Sequence, residues 1–373
     1  MIFDAGNIVV PLVLGRALGG HTVIGLLGLL VTSFVLPFLG FLVSLAFEGK
    51  SKAFLATTGI VPAFVLGAFA MLLVGPLGAT PRCVTLAHEA FSVFFPHGSL
   101  VWFSSVVVAL IFILSCKKGR IVALFGAFLG PIMMMLLAVI IVASLYSTTG
   151  VTSTVYSKGH SFLYGFKLGY FTLDLLYTIF FAGVLYAPLC SLLQERKEVC
   201  ARRGLMRLGV LVGGVGFGLL ALVALGFAFT AAYSGTYLSV TSQAQLLYVV
   251  ATRSLGPSLS WIAHLMTFIA CFTTALALVE VFTDYVYYDL LHGRCKRFYV
   301  LLGTVIAVFI VSNLGFSGVA RVIEPLAIMC YPLFIVITLS NALLVWWNID
   351  VVKPAFYGSL SAMIVWYGVR FLR

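Results

Sequence analysis

The sequence predicts an all-α polytopic membrane protein, and three observations carry that expectation. The 373-residue chain is 62% hydrophobic and 9% charged, with a mean hydropathy of +1.16, too apolar for a fold whose whole surface must be wetted. Its apolar residues fall in runs long enough to cross a bilayer core as helix, about 17–25 residues each. Its basic residues crowd into every second loop between those runs.

In order, the runs lie at 22–46, 54–79, 99–116, 121–145, 161–189, 205–232, 259–282, 297–312, 319–346 and 352–369. With residues 1–15 as a partial first span, about eleven spans result. Lys50 and Lys52, Lys117, Lys118 and Arg120, Arg196, Lys197, Arg202, Arg203 and Arg207, Arg294, Lys296 and Arg297, and Lys353 occupy alternate loops. The other loops and the C-terminal tail hold Arg16, Lys158, Arg253, Arg370 and Arg373. That alternation is the positive-inside pattern and puts the N-terminus in the cytoplasm. It also explains the net charge of +11 without a nucleic-acid partner, and none is expected. Arg82, Lys167 and Arg321 remain within or at the edge of spans, where a charge is expensive and faces the protein interior.

Two polar, glycine-containing interruptions break this pattern. Asp4-Ala5-Gly6-Asn7, followed by Pro11, interrupts the first span, and Gly165 to Asp174 interrupts the segment that opens the second half. In hydrocarbon a helix breaks only where a cavity, ion or substrate replaces the lost hydrogen bonds. Paired breaks in corresponding places point to the binding site of a secondary transporter. Each half also contains an uninterrupted third span, 54–79 and 259–282. Five spans is an odd number, so the halves are inverted relative to each other. The expected architecture is a leucine-transporter-like 5+5 inverted repeat with broken first and sixth helices. A single transmembrane domain then comprises a first repeat at 1–146, a second at 161–346 and an extra span at 347–373.

Within that frame, Ala270, Thr273 and Thr274 put a carbonyl and two hydroxyls on one face of the eighth span. With carbonyls from an unwound Phe3 to Gly6, they form a candidate site for an alkali cation, which needs hard oxygen donors. The alternative is that the hydroxyls bond back to carbonyls a turn earlier or join helices. Asp4 and Asp174 are candidate coupling groups, able to hold a cation or carry a proton; Asp174 is otherwise a helix cap or a partner for Lys167. Arg82, which follows Gly75-Pro76-Leu77-Gly78 at the end of the third span, is a candidate gate, with Glu89 as a possible partner. Gly315-Phe316-Ser317-Gly318 reproduces the GxSG of intramembrane serine proteases, but no histidine base follows His292. The seven cysteines form no CxxC pair and are read as small hydrophobes and free thiols. No metal cluster, phosphate loop or cofactor motif is found, the first stretch lacks the form of a cleavable signal peptide, and no enzymatic activity is expected.

Ala5-Gly6-Asn7-Ile8-Val9-Val10-Pro11, Gly75-Pro76-Leu77-Gly78-Ala79-Thr80-Pro81-Arg82, Gly169-Tyr170-Phe171-Thr172-Leu173-Asp174, Ala270-Cys271-Phe272-Thr273-Thr274 and Ser312-Asn313-Leu314-Gly315 resemble, in order, the bacterial branched-chain amino acid:cation symporters of the BrnQ type. The resemblance runs over nearly the whole chain. It implies uptake of leucine, isoleucine and valine with sodium, or with protons, across the bacterial inner membrane. From the two interruptions, the substrate is expected to sit against Ala5, Gly6, Asn7, Gly169, Tyr170 and Thr172. Family members carry roughly a half-helix before the Ala-Gly-Asn motif, a small residue where this chain has Asp4, and twelve spans, so the chain is expected to be N-terminally shortened. A non-transporting membrane sensor or partner-binding protein that retains the fold is the second class left open.

Overall fold

The computed structural model describes residues 5–92, 94–95, 97–116, 120–146, 150, 156–195, 202–233, 245–256 and 259–371, and it is helical almost throughout. The helices are α1 (Ala5–Leu18), α2 (Thr22–Leu30), α3 (Leu36–Ala46), α4 (Ser51–Ala56), α5 (Ile60–Val74), α6 (Ala79–Ser92), α7 (Leu100–Cys116) and α8 (Arg120–Tyr146), followed by α9 (Lys158–Leu168), α10 (Asp174–Glu195), α11 (Arg202–Ala232), α12 (Leu246–Leu255), α13 (Trp261–Asp284), α14 (Arg297–Ser312), α15 (Gly315–Trp347) and α16 (Val352–Phe371). Among the described residues, six helical stretches are long and apolar enough to cross a membrane: Gly6–Ala46, Ile60–Ser92, Lys158–Gln194, Arg202–Ala232, Trp261–Leu290 and Gly315–Trp347. The burial pattern agrees. Large apolar side chains such as Ile60, Leu211 and Ile310 are exposed, while Asn7, Arg82, Asp174 and His264 are buried. That inside-out distribution suits hydrocarbon as the outer solvent, and the chain is a multi-pass membrane protein.

The helices gather into two compact units, each assembled from three stretches of chain. The first takes Met1–Leu30, Leu72–Thr172 and Leu219–Glu324; the second takes Val31–Met71, Leu173–Gly218 and Pro325–Arg373. In the first unit α6 lies along α13, α2 along α9, and α7 along α14. Val9, Cys83, Leu86, Val107, Ile111, Cys271, Leu276 and Val308 form one of its cores, joining α1, α6, α7, α13 and α14. In the second unit α3 lies along α10, and Phe41, Leu45, Ala182, Leu189 and Leu205 form its core.

A polar link ties the second unit together. Between α2 and α3 the helix widens into a π turn at Val31–Val35, which disturbs the carbonyl pairing of that turn. The carbonyl of Thr32 accepts from the fully buried Tyr331 hydroxyl at 3.1 Å, and the same hydroxyl accepts from the Leu175 amide at 3.3 Å. One side chain therefore serves two helix irregularities. Tyr331→Phe keeps the ring and leaves a buried N–H unserved, at a cost of about 1–3 kcal/mol. The unfolding midpoint of the purified variant in detergent should fall accordingly, and an unchanged midpoint would remove this link from the fold's support.

Three expectations need correction. Ala5 and Gly6 are not unwound: with Asn7 they are helical and belong to α1, which runs through Pro11 to Leu18, while Phe3 and Asp4 lie outside the described residues. The third span is not an uninterrupted 54–79. α5 stops at Val74, a turn covers 75–78, and α6 carries the path on to Ser92. Arg82 therefore sits near the start of a helix rather than beyond the end of one. Cys190 is disulfide-bonded, so among the described residues free thiols describe Cys83, Cys116, Cys271, Cys295 and Cys330.

Candidate functional site

The second interruption is a helix break. α9 ends at Leu168, Gly169–Thr172 tightens into a 3-10 turn, Leu173 takes φ +58°, and α10 starts at Asp174. In an unbroken helix the Leu175 amide would donate to the Phe171 carbonyl. Here each group finds another partner within its own unit. Leu175 donates to Tyr331, and the Phe171 carbonyl accepts from the Arg82 guanidinium. The Thr172 hydroxyl donates to the Gly169 carbonyl at 2.8 Å and closes the turn. Asp174 is buried at the first position of α10, where a carboxylate meets the positive end of the helix dipole.

Arg82 reaches Phe171 because of the turn before it. The Leu77 amide bonds back five residues to the Leu72 carbonyl, and the Thr80 amide to that of Gly75, so the chain makes a wide loop before α6. A Cβ on Gly78 would stand 2.0 Å from the Leu73 carbonyl oxygen, so the loop requires glycine there. Pro81 falls in the first turn of α6, where its missing N–H costs nothing. The outcome is an arginine only 6% exposed, inside a membrane protein. Glu89, one candidate partner for Arg82, instead accepts from Gln245 at 3.3 Å.

Arg82 borders a cavity of about 240 Å³ whose lining belongs entirely to the first unit. α1 contributes Val9, Val10 and Val13, α9 and its 3-10 extension contribute Tyr164, Leu168 and Phe171, and α15 contributes Phe316, Ala320, Ile323 and Glu324. The α15 residues recur at helical spacing and share one face. The local fold places them there. The Asn313 side chain donates to the Phe309 carbonyl at 2.7 Å at the end of α14, and Gly315, at φ +74°, turns the chain into α15. The walls are apolar and aromatic, with a guanidinium and a carboxylate among them. Its size falls below the roughly 300–1,000 Å³ of sites for drug-sized ligands and suits a smaller molecule.

The predicted site residues are only partly assembled around this cavity. Arg82 lines it, and the Gly169–Thr172 turn delivers Phe171 to it. Ala5, Gly6 and Asn7 precede the α1 residues that line it, and Asn7 is buried. Tyr170 is half-buried, and Gly169 and Thr172 are buried. On α13, Ala270 and Thr274 are buried and share that helix with Cys271, which packs in one core with Val9. The Thr273 hydroxyl donates to the carbonyls of Ile269 at 2.9 Å and Ala270 at 3.1 Å, the back-bonding weighed as the alternative. Glu324 was missed. Its signal was visible, since an acidic residue before Pro325 in a long apolar span marks a functional position, but the charge reading attended to cations.

Fold and site together define a polytopic membrane protein with a small, largely apolar pocket bearing both signs of charge. Residues 1–365 match the family model described as branched-chain amino acid transport protein, and the chain belongs to that family. It is similar to the branched-chain amino acid permease BrnQ of Salmonella typhimurium, 30% identical with 96% of this chain and 82% of the permease covered. The BrnQ permease of Bacillus subtilis is 27% identical, with 90% and 77% covered. The branched-chain amino acid transport system 3 carrier protein of Pseudomonas aeruginosa is also 27% identical, with 97% and 83% covered. These relatives are permeases and carriers, not enzymes.

Proposed function

We propose that this protein takes up branched-chain amino acids across the bacterial inner membrane as a secondary symporter, with sodium as the coupling ion and protons as the alternative, and with its N-terminus in the cytoplasm. The observation that carries the reading is the cavity where Arg82 meets the carbonyl released by the helix break. A zwitterion with a branched side chain needs a cation for its carboxylate and apolar walls for its methyl groups. Val9, Val10, Val13, Leu168 and Ile323 supply such walls. An apolar pocket separates substrates that differ by one methylene by only about 1–3 kcal/mol. Leucine, isoleucine and valine should therefore compete within roughly a hundredfold range, while lysine and glutamate fail.

Alternating access through a 5+5 inverted repeat is the mechanism this reading adopts. The break at 169–173 and the wide turn at 75–78 offer backbone points where helix segments can reorient without unravelling spans. For the cation, the reading uses Ala270, Thr273 and Thr274. Back-bonding consumes the Thr273 hydroxyl hydrogen and leaves oxygen lone pairs to face an ion. Leucine uptake into proteoliposomes with and without an inward sodium gradient tests the function. No uptake under either a sodium or a proton gradient would leave the sensor class standing. Thr273→Val, which keeps volume and removes the oxygen, should raise the sodium concentration for half-maximal uptake before it changes folding; unchanged sodium dependence would move the cation away from α13.

A further inference from the structure

We infer that Glu324 is the receptor for the substrate's ammonium group, so that Arg82 and Glu324 form a two-ended clamp selecting amino acids by their zwitterionic backbone. The inference rests on the proposed transport of branched-chain amino acids and adds the residue that recognises the second charge. Glu324 lines the same cavity as Arg82, on the α15 face shared with Phe316, Ala320 and Ile323. Glu324 is exposed, and an ionised carboxylate facing hydrocarbon within a span is costly, so its place in the cavity lining is where its charge is best accommodated. Pro325 follows immediately. It has no N–H, so the Arg321 carbonyl loses its helical donor and α15 is disposed to bend next to Glu324.

The chemistry is complementary at both ends. The planar guanidinium of Arg82 suits a carboxylate, and its bond to the Phe171 carbonyl fixes one edge of the fork. The Glu324 carboxylate suits an ammonium. The apolar walls between them take the side chain. Such a clamp disfavours a molecule lacking either charge, because the buried Arg82 or the Glu324 carboxylate would then be left without its ligand partner.

The test measures how leucine, isocaproate (which lacks the ammonium) and isoamylamine (which lacks the carboxylate) compete for leucine binding, followed by tryptophan fluorescence of the purified protein, and for uptake in proteoliposomes. Native protein should prefer leucine strongly over both analogues. Glu324→Gln should raise the half-saturating leucine concentration roughly ten- to a hundredfold. It should also collapse the preference over isocaproate while leaving the preference over isoamylamine. Glu324→Asp should recover part of the loss. Equal weakening of all three ligands, or no weakening, overturns the clamp and leaves the transport reading intact. Competition by isocaproate as strong as by leucine in native protein overturns it without any substitution. Failure of the native protein to bind leucine sinks the transport reading itself, and the clamp with it.

Discussion

Arg82→Ala is expected to reduce leucine transport more than any other single substitution in the pocket. The guanidinium has two tasks: it satisfies the Phe171 carbonyl at the helix break, and it is the buried cation available to a substrate carboxylate. A hydrogen bond to a charged group contributes about 1.5–3 kcal/mol, so loss of the carboxylate partner alone corresponds to roughly a ten- to hundredfold rise in half-saturating leucine. The unserved carbonyl adds a structural cost of similar size at the 3-10 turn. Arg82→Lys keeps the charge without the planar fork, and a lysine cannot hold a carbonyl and a carboxylate in the same two-edged geometry. It should fall between native protein and Arg82→Ala. Uptake in proteoliposomes, normalised to folded protein, is the measurement. Native-like half-saturation in Arg82→Ala would show that the carboxylate is bound elsewhere and would point back to Asn7 and the start of α1.

The all-helical, membrane-spanning character was legible because the length of the apolar runs reports directly on the solvent a segment must cross. The break at 169–173 was legible for a related reason. Two glycines, a threonine and an aspartate in an apolar run have no use in an unbroken lipid-facing helix, and the structure interrupts the helix among them. The same logic misread residues 5–7. Small and polar residues are also accepted inside a helix that packs closely against others, and composition alone does not separate such a helix from a break. The turn at 75–78 was visible as Gly-Pro-Leu-Gly, yet its effect was not, because bonds that reach back five residues let the path resume as α6. Glu324 escaped for a different reason. Its acidic side chain in an apolar span was a visible signal, but its place with α1, α6 and α9 around one cavity is a tertiary fact that no local pattern contains.

Gly165→Val is expected to prevent accumulation of folded protein, and Gly165→Ala to lower its unfolding midpoint. α2 and α9 meet backbone to backbone. A Cβ on Gly165 would stand 1.9 Å from the Gly25 carbonyl oxygen, and a Cβ on Gly28 would stand 2.2 Å from the Phe162 carbonyl oxygen. Neither obstacle is a side chain that can turn aside, so the helices themselves must separate. Overpacking a well-filled contact costs about 1–3 kcal/mol for added methylenes and more where only backbone can yield. Packing between membrane helices depends on such small-residue contacts because lipid supplies no hydrophobic drive to hold them together. The functional consequence follows from position. α9 carries Tyr164 and Leu168 of the cavity wall and leads into the turn that presents Phe171 to Arg82, so displacing α9 should weaken leucine binding even where Gly165→Ala still folds. Gly303→Ala is the control, since a Cβ there meets nothing within 4 Å and alanine favours helix by about 1 kcal/mol. Thermal unfolding and leucine titration of the three variants decide the matter, and equal behaviour of Gly165→Ala and Gly303→Ala would mean that α2 and α9 do not meet through glycine in the membrane.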